Sequence, residues 1–87
     1  MERVLRLPCN EGWYYGILYG MITFDYREIK PYWIKRLHDK EYDVVEFYHR
    51  FKKNLNPIRY KFLKIEVKHI SGVDKDYYII RFGDRIE

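Results

Sequence analysis

The sequence REIKPYWIKRLHDKEYDVVEFYHRFKKNLNPIRYK, residues 27–61, contains one helical pattern followed by two strand patterns. Ten Lys or Arg residues and five Asp or Glu residues give this segment a formal charge of +5, whereas the whole chain carries +4. The remaining residues are therefore close to neutral. Positive charge attracts phosphates from a distance and flat rings stack on unpaired bases, so a segment that interleaves the two predicts nucleic acid as the ligand.

The helix is predicted over residues 29–38. Ile29, Trp33 and Leu37 recur every four residues and form an apolar stripe on one side of a helix. Pro31 fits only in the first turn, where its missing N–H would have no partner in any case. The helix therefore begins near Ile29 or Lys30.

A two-residue period over residues 42–51 predicts a strand. Its apolar side carries Val45, Phe47 and Phe51, and its polar side carries Tyr42, Glu46, Tyr48 and Arg50. Residues 58–68 predict the next strand, but the apolar positions change parity along it. One extra residue near Phe62 would return them to a single side, so we expect a β-bulge there.

The flanking segments predict further strands. Residues 1–9 and 21–24 have strand patterns, and residues 12–20 are interpreted as a bent strand in which Gly12, Gly16 and Gly20 permit curvature. A turn over residues 71–76 precedes a closing strand over residues 77–82. That strand is apolar on both sides and is expected in the interior of the sheet.

Together these elements predict one α+β domain over residues 1–87, a small mixed or antiparallel β-barrel with one main helix capping it. Hydrophobic residues make up 47% of the chain and aromatic residues 20%, which is ample for a core. Cys9 is the only cysteine, and no apolar run is long enough to span a bilayer. The sequence thus predicts a soluble, cytoplasmic protein without a membrane partner.

Few constellations for chemistry are present. His38, His49 and His69 lack the spacing of a metal site, and no glycine loop of the phosphate-cradling type occurs. Ser71 follows His69 at two positions and precedes Gly72, which is more typical of a turn than of a catalytic serine. No metal and no cofactor are predicted.

Several segments together resemble an ASCH domain of the PUA-like superfamily. They are the strand 21–24, the helix 29–38, the turn Leu37-His38-Asp39-Lys40-Glu41, the strand 42–48 with Glu46 and then Arg50, and the strands 62–67 and 78–82. The resemblance implies a PUA-like barrel with an RNA-binding cleft between the helix-to-strand turn and the barrel. It implies that Lys40 and Tyr42 lie at the rim of the cleft, with Glu46 and Arg50 nearby. Some relatives hydrolyse a modified nucleoside or cleave RNA, which makes Lys40, Tyr42 and Glu46 the implied catalytic candidates.

The predicted nucleic-acid-binding residues combine this cleft with a basic hairpin. They are Lys40, Tyr42, Tyr48, Arg50, Lys52, Lys53, Arg59 and Lys61. If Arg50 pairs near Arg59, their like charges repel unless a phosphate lies between them. The opposing interpretation is that acidic residues from elsewhere in the chain neutralise the patch.

Three functions stay open at this point. The first is binding of nucleic acid, with RNA favoured by the resemblance. The second is an ASCH-type hydrolase or ribonuclease acting on RNA or a modified nucleoside. The third is a protein-interaction module that uses an exposed apolar patch at residues 13–19.

Overall fold

The computed structural model describes residues 1–86 as a five-stranded mixed sheet with two helices. The elements are β1 (Val4–Cys9), α1 (Glu11–Leu18), β2 (Phe24–Glu28), α2 (Pro31–Leu37), β3 (Val44–His49), β4 (Ile58–Ile70) and β5 (Lys75–Ile86). The strand order is β1-β3-β4-β5-β2, and only β1 and β3 are parallel. The α+β class and the mixed sheet are confirmed. The closed barrel is wrong, because the sheet is open and has β1 and β2 at its edges.

The segment predicted to be a bent strand at residues 12–20 is instead the helix α1. Asn10 caps its N-terminus, where the side-chain oxygen accepts a hydrogen bond of 2.8 Å from the backbone N–H of Trp13. Gly20 lies beyond its end with φ +75°, a conformation that favours glycine. Gly16 lets Ile22 pack directly against the helix backbone. The four-residue glycine spacing therefore belongs to a helix, and two helices replace the single one expected.

The helix α2 begins at Pro31, as the missing N–H of proline requires. Leu37 is buried in the core and Trp33 packs against it from the side. Ile29 and Ile34, which belong to the predicted apolar arc, are exposed. The helix thus uses only the Trp33–Leu37 part of its apolar side.

The strand β3 ends two residues earlier than predicted. Val45 and Phe47 are buried as expected, but the next inward position is His49, and Phe51 is 76% exposed. The ring nitrogen Nδ1 of His49 accepts hydrogen bonds from the backbone N–H groups of Phe51 and Lys52, at 3.1 and 2.9 Å. These bonds turn the chain away from the sheet, and the side chain of Phe51 leaves with it.

The irregularity predicted near Phe62 is confirmed. The pairing of β4 with β5 shifts register between Tyr60 and Phe62 and again between Phe62 and Lys64. Ile58, Tyr60 and Phe62 are buried on the same side, and Ile65 packs against that side beyond the shift. The strand β5 lies between β4 and β2, in the interior of the sheet as expected.

The two edge strands approach each other through one side chain. Arg27 of β2 donates a hydrogen bond of 2.8 Å from Nη2 to the carbonyl oxygen of Pro8 in β1. The sheet must curve to bring these edges together, although no backbone ladder joins them. We call the face of the sheet that packs against α1 and α2 and forms the core the inner face. The opposite face of the sheet is the outer face. Within residues 1–86, neither helix is long and apolar enough to cross a lipid bilayer.

Candidate nucleic-acid interface

A cavity of about 760 Å³ lies between the α2–β3 turn and the sheet, where the resemblance places a cleft. Lys40 and Tyr42 both line it. The hydroxyl of Tyr42 donates to the carbonyl oxygen of Arg36, and its ring packs edge-on against Phe62 at 5.8 Å between centroids. Burial raises the pKa of Tyr42. Tyr42 therefore fastens the turn to the sheet, and its ring is not free to stack on a base.

The charge around this cavity is balanced. Its cationic lining residues are Arg3, Lys40 and Lys64, and its acidic ones are Asp39, Glu41 and Asp43. Asp43 accepts a hydrogen bond of 2.8 Å from the backbone N–H of Arg3. Because cations and carboxylates are equal in number, the cavity exerts little net attraction on a polyanion.

Glu46, the third implied catalytic residue, lies on the outer face and does not line the cavity. Its Oε1 accepts a hydrogen bond of 2.8 Å from Nε of Arg6, and its Oε2 lies 3.3 Å from Nε of Arg59. The structure thus brings Lys40 and Tyr42 together but keeps Glu46 apart from them.

The expected contact between Arg50 and Arg59 does not form. Arg59 lies opposite Glu46 in the register of β3 and β4, and its Nη2 also contacts Glu2 at 2.6 Å. Arg50 lies beyond the end of β3, because the paired part of the hairpin stops at Phe47 and Ile58. The hairpin therefore places Arg59 beside carboxylates.

The other predicted basic residues divide into paired and unpaired ones. Nζ of Lys52 lies 2.6 Å from Oε1 of Glu11, which raises the pKa of the lysine and lowers that of the carboxyl. Arg50, Lys53 and Lys61 have no carboxylate within 4.0 Å among residues 1–86. Lys40 lies exposed in the turn before β3, and Arg50 follows the end of that strand. The six residues of β3, about 20 Å long at 3.3 Å per residue, lie between them in the chain. The predicted set does not converge on one hollow.

Tyr48, the remaining predicted residue, is covered by Arg6, whose guanidinium lies 4.8 Å from the ring centroid. The apolar patch expected at residues 13–19 is not exposed either. Tyr14 and Ile17 are buried, and Trp13, Tyr15 and Leu18 pack against the core. Tyr19 alone of this segment stays largely exposed, so the feature that suggested a protein-interaction module is absent.

A cluster that the sequence reasoning missed lies on the outer face of β4, β5 and β2. We call it the Glu66 platform, and it consists of Phe24, Tyr26, Lys64, Glu66, Lys68, Tyr77 and Arg81. Lys64 lies opposite Arg81, which lies opposite Phe24, and the neighbouring row joins Glu66 to Tyr26 through Ile79. Paired residues of adjacent strands point to the same face, so these side chains form one continuous surface.

The platform has more cations than carboxylates. Oε1 of Glu66 lies 3.3 Å from Nζ of Lys64 and 3.2 Å from Nε of Arg81, and Oε2 lies 4.0 Å from Nζ of Lys68. The hydrogen bond from Lys64 is the largest of the effects that lower the pKa of Glu66. One carboxylate shared by three cations gives this network a charge of +2, and its Lys64 is the same side chain that lines the cavity at the α2–β3 turn.

Exposed aromatic rings lie beside these charges. Phe24 is 37% exposed and lies under the guanidinium of Arg81 at 5.7 Å, and Tyr26 is 47% exposed and meets Tyr77 edge-on at 5.5 Å. The signal that could have found them is parity. The residues at 64, 66 and 68, at 77 and 81, and at 24 and 26 each alternate along a strand.

No protein-family model, no curated protein and no solved structure matches this chain. The resemblance to ASCH domains therefore stays a prediction. Within residues 1–86, no group of three or more His, Cys, Asp or Glu side chains is arranged to hold a metal ion.

Proposed function

We propose that this protein binds single-stranded nucleic acid on the Glu66 platform, and that the natural ligand is RNA. The observation that carries the proposal is the sharing of Glu66 among three cations next to exposed aromatic rings. A phosphate chain would relieve the repulsion among Lys64, Lys68 and Arg81. An unpaired base would stack on Tyr26, and a second would stack on Phe24 once Arg81 leaves that ring for a phosphate; stacking is worth about 1–3 kcal/mol per base.

RNA is preferred to DNA because of the resemblance to ASCH domains. The sheet of this protein curves strongly enough for Arg27 of β2 to reach the carbonyl oxygen of Pro8 in β1. A PUA-like sheet is also strongly curved, so this curvature supports the resemblance. We propose a cytoplasmic location on the same grounds and because the single cysteine, Cys9, is a free thiol.

The test is fluorescence anisotropy with a labelled, unstructured RNA at several salt concentrations. For single strands the logarithm of the affinity falls by about 0.7 per phosphate contact for each tenfold rise in salt. Contacts from all three platform cations predict a slope of roughly −2, and Lys64→Ala or Lys68→Ala should reduce its magnitude by about 0.7. Lys35→Ala is the matched control, because Lys35 is an exposed lysine on α2, away from the platform.

Two further variants separate stacking from charge. Phe24→Ala should weaken binding at every salt concentration without changing the slope, because stacking releases no counterions. Glu66→Gln should strengthen binding, since it leaves all three cations to the ligand. A salt-independent affinity, or equal losses in Lys64→Ala and Lys35→Ala, would refute the platform. RNA recovered intact after incubation would exclude the ribonuclease alternative for that substrate.

A further inference from the structure

A second cavity, of about 400 Å³, lies where the edges β1 and β2 approach each other. Trp13, Asp25, Tyr26, Arg27, Trp33 and Arg50 contribute to its lining. It is separate from the cavity at the α2–β3 turn, and of the platform residues only Tyr26 also belongs to it.

The floor of this edge cavity contains a buried ion pair. Nε of Arg27 lies 2.7 Å from Oδ2 of Asp25, and the two side chains are 15% and 4% exposed. Burial raises the pKa of Asp25, and Arg27 counteracts this only in part. A buried pair is often less stabilising than apolar residues of the same size, so stability alone is a weak reason for its presence.

A buried donor lies next to this pair. The indole nitrogen Nε1 of Trp13 has no hydrogen bond of good geometry among residues 1–86, but it lies close enough to the carboxylate of Asp25 to lower the pKa of that group. Asp25 is therefore the acceptor that this donor faces, and a ligand would compete with the carboxylate for it.

The walls of the cavity are flat and its mouth is cationic. Trp13 meets Tyr26 edge-on at 5.5 Å, and the guanidinium of Arg27 lies 4.9 Å from the ring centre of Trp33. Arg50 lies exposed at the mouth, with no carboxylate within 4.0 Å among residues 1–86. The aromatic lining suits a planar ring, the Asp25–Arg27 pair suits its polar edge, and the guanidinium of Arg50 suits a phosphate.

We propose that the edge cavity binds one nucleotide, with the base against its aromatic lining and the phosphate at Arg50. The nucleotide is either a free nucleoside monophosphate or one unit of a strand held on the Glu66 platform, which Tyr26 joins to the cavity. The second source rests on the proposed function, and the first is independent of it.

The two tryptophans of the chain are Trp13 and Trp33, and both line this cavity, so intrinsic fluorescence reports its occupancy directly. Wild-type protein is titrated with AMP and UMP, and with inorganic phosphate as a probe without a base. We expect saturable quenching by a nucleotide and none by phosphate. Arg50→Ala should weaken nucleotide binding roughly tenfold or more, the usual loss for a charge-assisted contact.

Two variants serve as controls. Lys53→Ala removes a nearby exposed cation that does not line the cavity and should leave quenching unchanged. Arg50→Lys keeps the charge at the mouth and should retain most of the affinity. Because Arg50 is exposed, we expect each variant to keep the far-ultraviolet circular dichroism of the wild type.

The outcomes separate the two proposals. Quenching that is lost in Arg50→Ala supports the cavity, whereas no quenching at millimolar nucleotide overturns it. If RNA still binds with the salt dependence of the platform, the proposed function survives that failure. Nucleotide quenching without any binding of RNA overturns the proposed function and supports the cavity as a site for free nucleotide.

Discussion

Replacing Arg27 with Met removes the side chain that connects the two sheet edges. Arg27 contacts Oδ2 of Asp25 at 2.7 Å, the carbonyl oxygen of Pro8 at 2.8 Å and the ring of Trp33 at 4.9 Å. Met keeps most of the volume but leaves the carboxylate of Asp25, which is 4% exposed, without a counter-charge. Breaking a buried pair in this way costs about 3–5 kcal/mol. A domain of 87 residues has a free energy of unfolding of roughly 4–13 kcal/mol, so Arg27→Met should be marginally stable at neutral pH.

The cost should depend on pH in a defined direction. Burial raises the pKa of Asp25 above its ordinary 3.8, and the loss of Arg27 removes the main opposing effect, so the pKa rises further. A carboxyl group whose folded-state pKa is raised binds its proton more tightly in the folded state. Its destabilising effect is therefore absent below the unfolded-state pKa and grows as the pH rises through the folded-state pKa. The difference in stability between wild type and Arg27→Met should shrink as the pH is lowered from 7 toward 4.

Urea unfolding followed by circular dichroism, at pH 7 and at pH 4, measures that difference. The double variant Asp25→Leu/Arg27→Met removes both charges and should recover at least 2 kcal/mol relative to the single variant, a conservative share of the roughly 3–5 kcal/mol penalty. Arg6→Met is the matched control, because the side chain of Arg6 is 61% exposed and its ion pair with Glu46 should contribute less than about 1 kcal/mol. A loss below about 1 kcal/mol in Arg27→Met at pH 7, or a loss equal at both pH values, would refute the importance of the buried pair.

Three further predictions concern α1 and the strand before it. Gly16→Ala should destabilise the protein by roughly 1–3 kcal/mol in thermal unfolding, because the added Cβ atom would lie 2.9 Å or less from the side chain of Ile22. Gly12→Ala is the control: the nearest atom to its Cβ would be 3.8 Å away, so this variant should be neutral or more stable by up to about 1 kcal/mol. Asn10→Ala should cost about 1 kcal/mol in the same measurement through loss of the helix cap. Burial raises the pKa of Cys9 to about 12, so iodoacetamide at pH 8 should label it slowly in the native state and rapidly in urea; fast native labelling would contradict its burial.

The strands β3 and β4 could be predicted because one side of each is buried and the apolar residues follow that side. Even the bulge near Phe62 is visible as a change of parity. The helix α1 could not be predicted from periodicity, since only Tyr14 and Ile17 are fully buried on it and its glycines lower helix propensity. Its decisive signal is local, the Asn10 cap followed by Glu11 in the first turn, and that signal is easily interpreted as an ordinary turn.

Whether a sheet closes into a barrel depends on which strands pair, and the alternation of apolar and polar residues along a strand does not predict that pairing. The pattern of apolar residues indicates which face of a strand is buried, but not which strands are neighbours. Here Arg27 of β2 donates a hydrogen bond to the carbonyl oxygen of Pro8 in β1, 19 positions away, and no backbone ladder joins the two strands. The sequence predicts curvature and many strands, and the step from these features to a closed barrel is the one that fails.

Charge in the candidate site follows the same logic. Counting charges along residues 27–61 gives a surplus of positive charge, but carboxylates from outside the segment compensate part of it. Arg59 contacts Glu2, which lies 57 positions away in the sequence, and Lys52 contacts Glu11, which lies 41 positions away. Conversely, the basic surface of the platform exists only in the folded sheet, where Arg81 lies beside Glu66 although the two are 15 positions apart in the sequence. The composition therefore indicates a basic protein, whereas the pairing decides where the basic surface lies.

Glu46 and Glu66 show how one arrangement produces two different surfaces. Each is a carboxylate on the outer face with basic residues around it: those of Glu46 lie on the neighbouring strands β1 and β4, and those of Glu66 lie on its own strand β4 and on β5. Glu46 forms ion pairs with Arg6 and Arg59, and Glu2 forms a second ion pair with Arg59. Two carboxylates and two guanidinium groups make this network neutral. Glu66 alone serves Lys64, Lys68 and Arg81, so its network keeps a charge of +2. A phosphate chain gains nothing from displacing balanced partners but gains attraction from an unbalanced network, which is why we propose Glu66 and its neighbours, and not Glu46, as the binding surface.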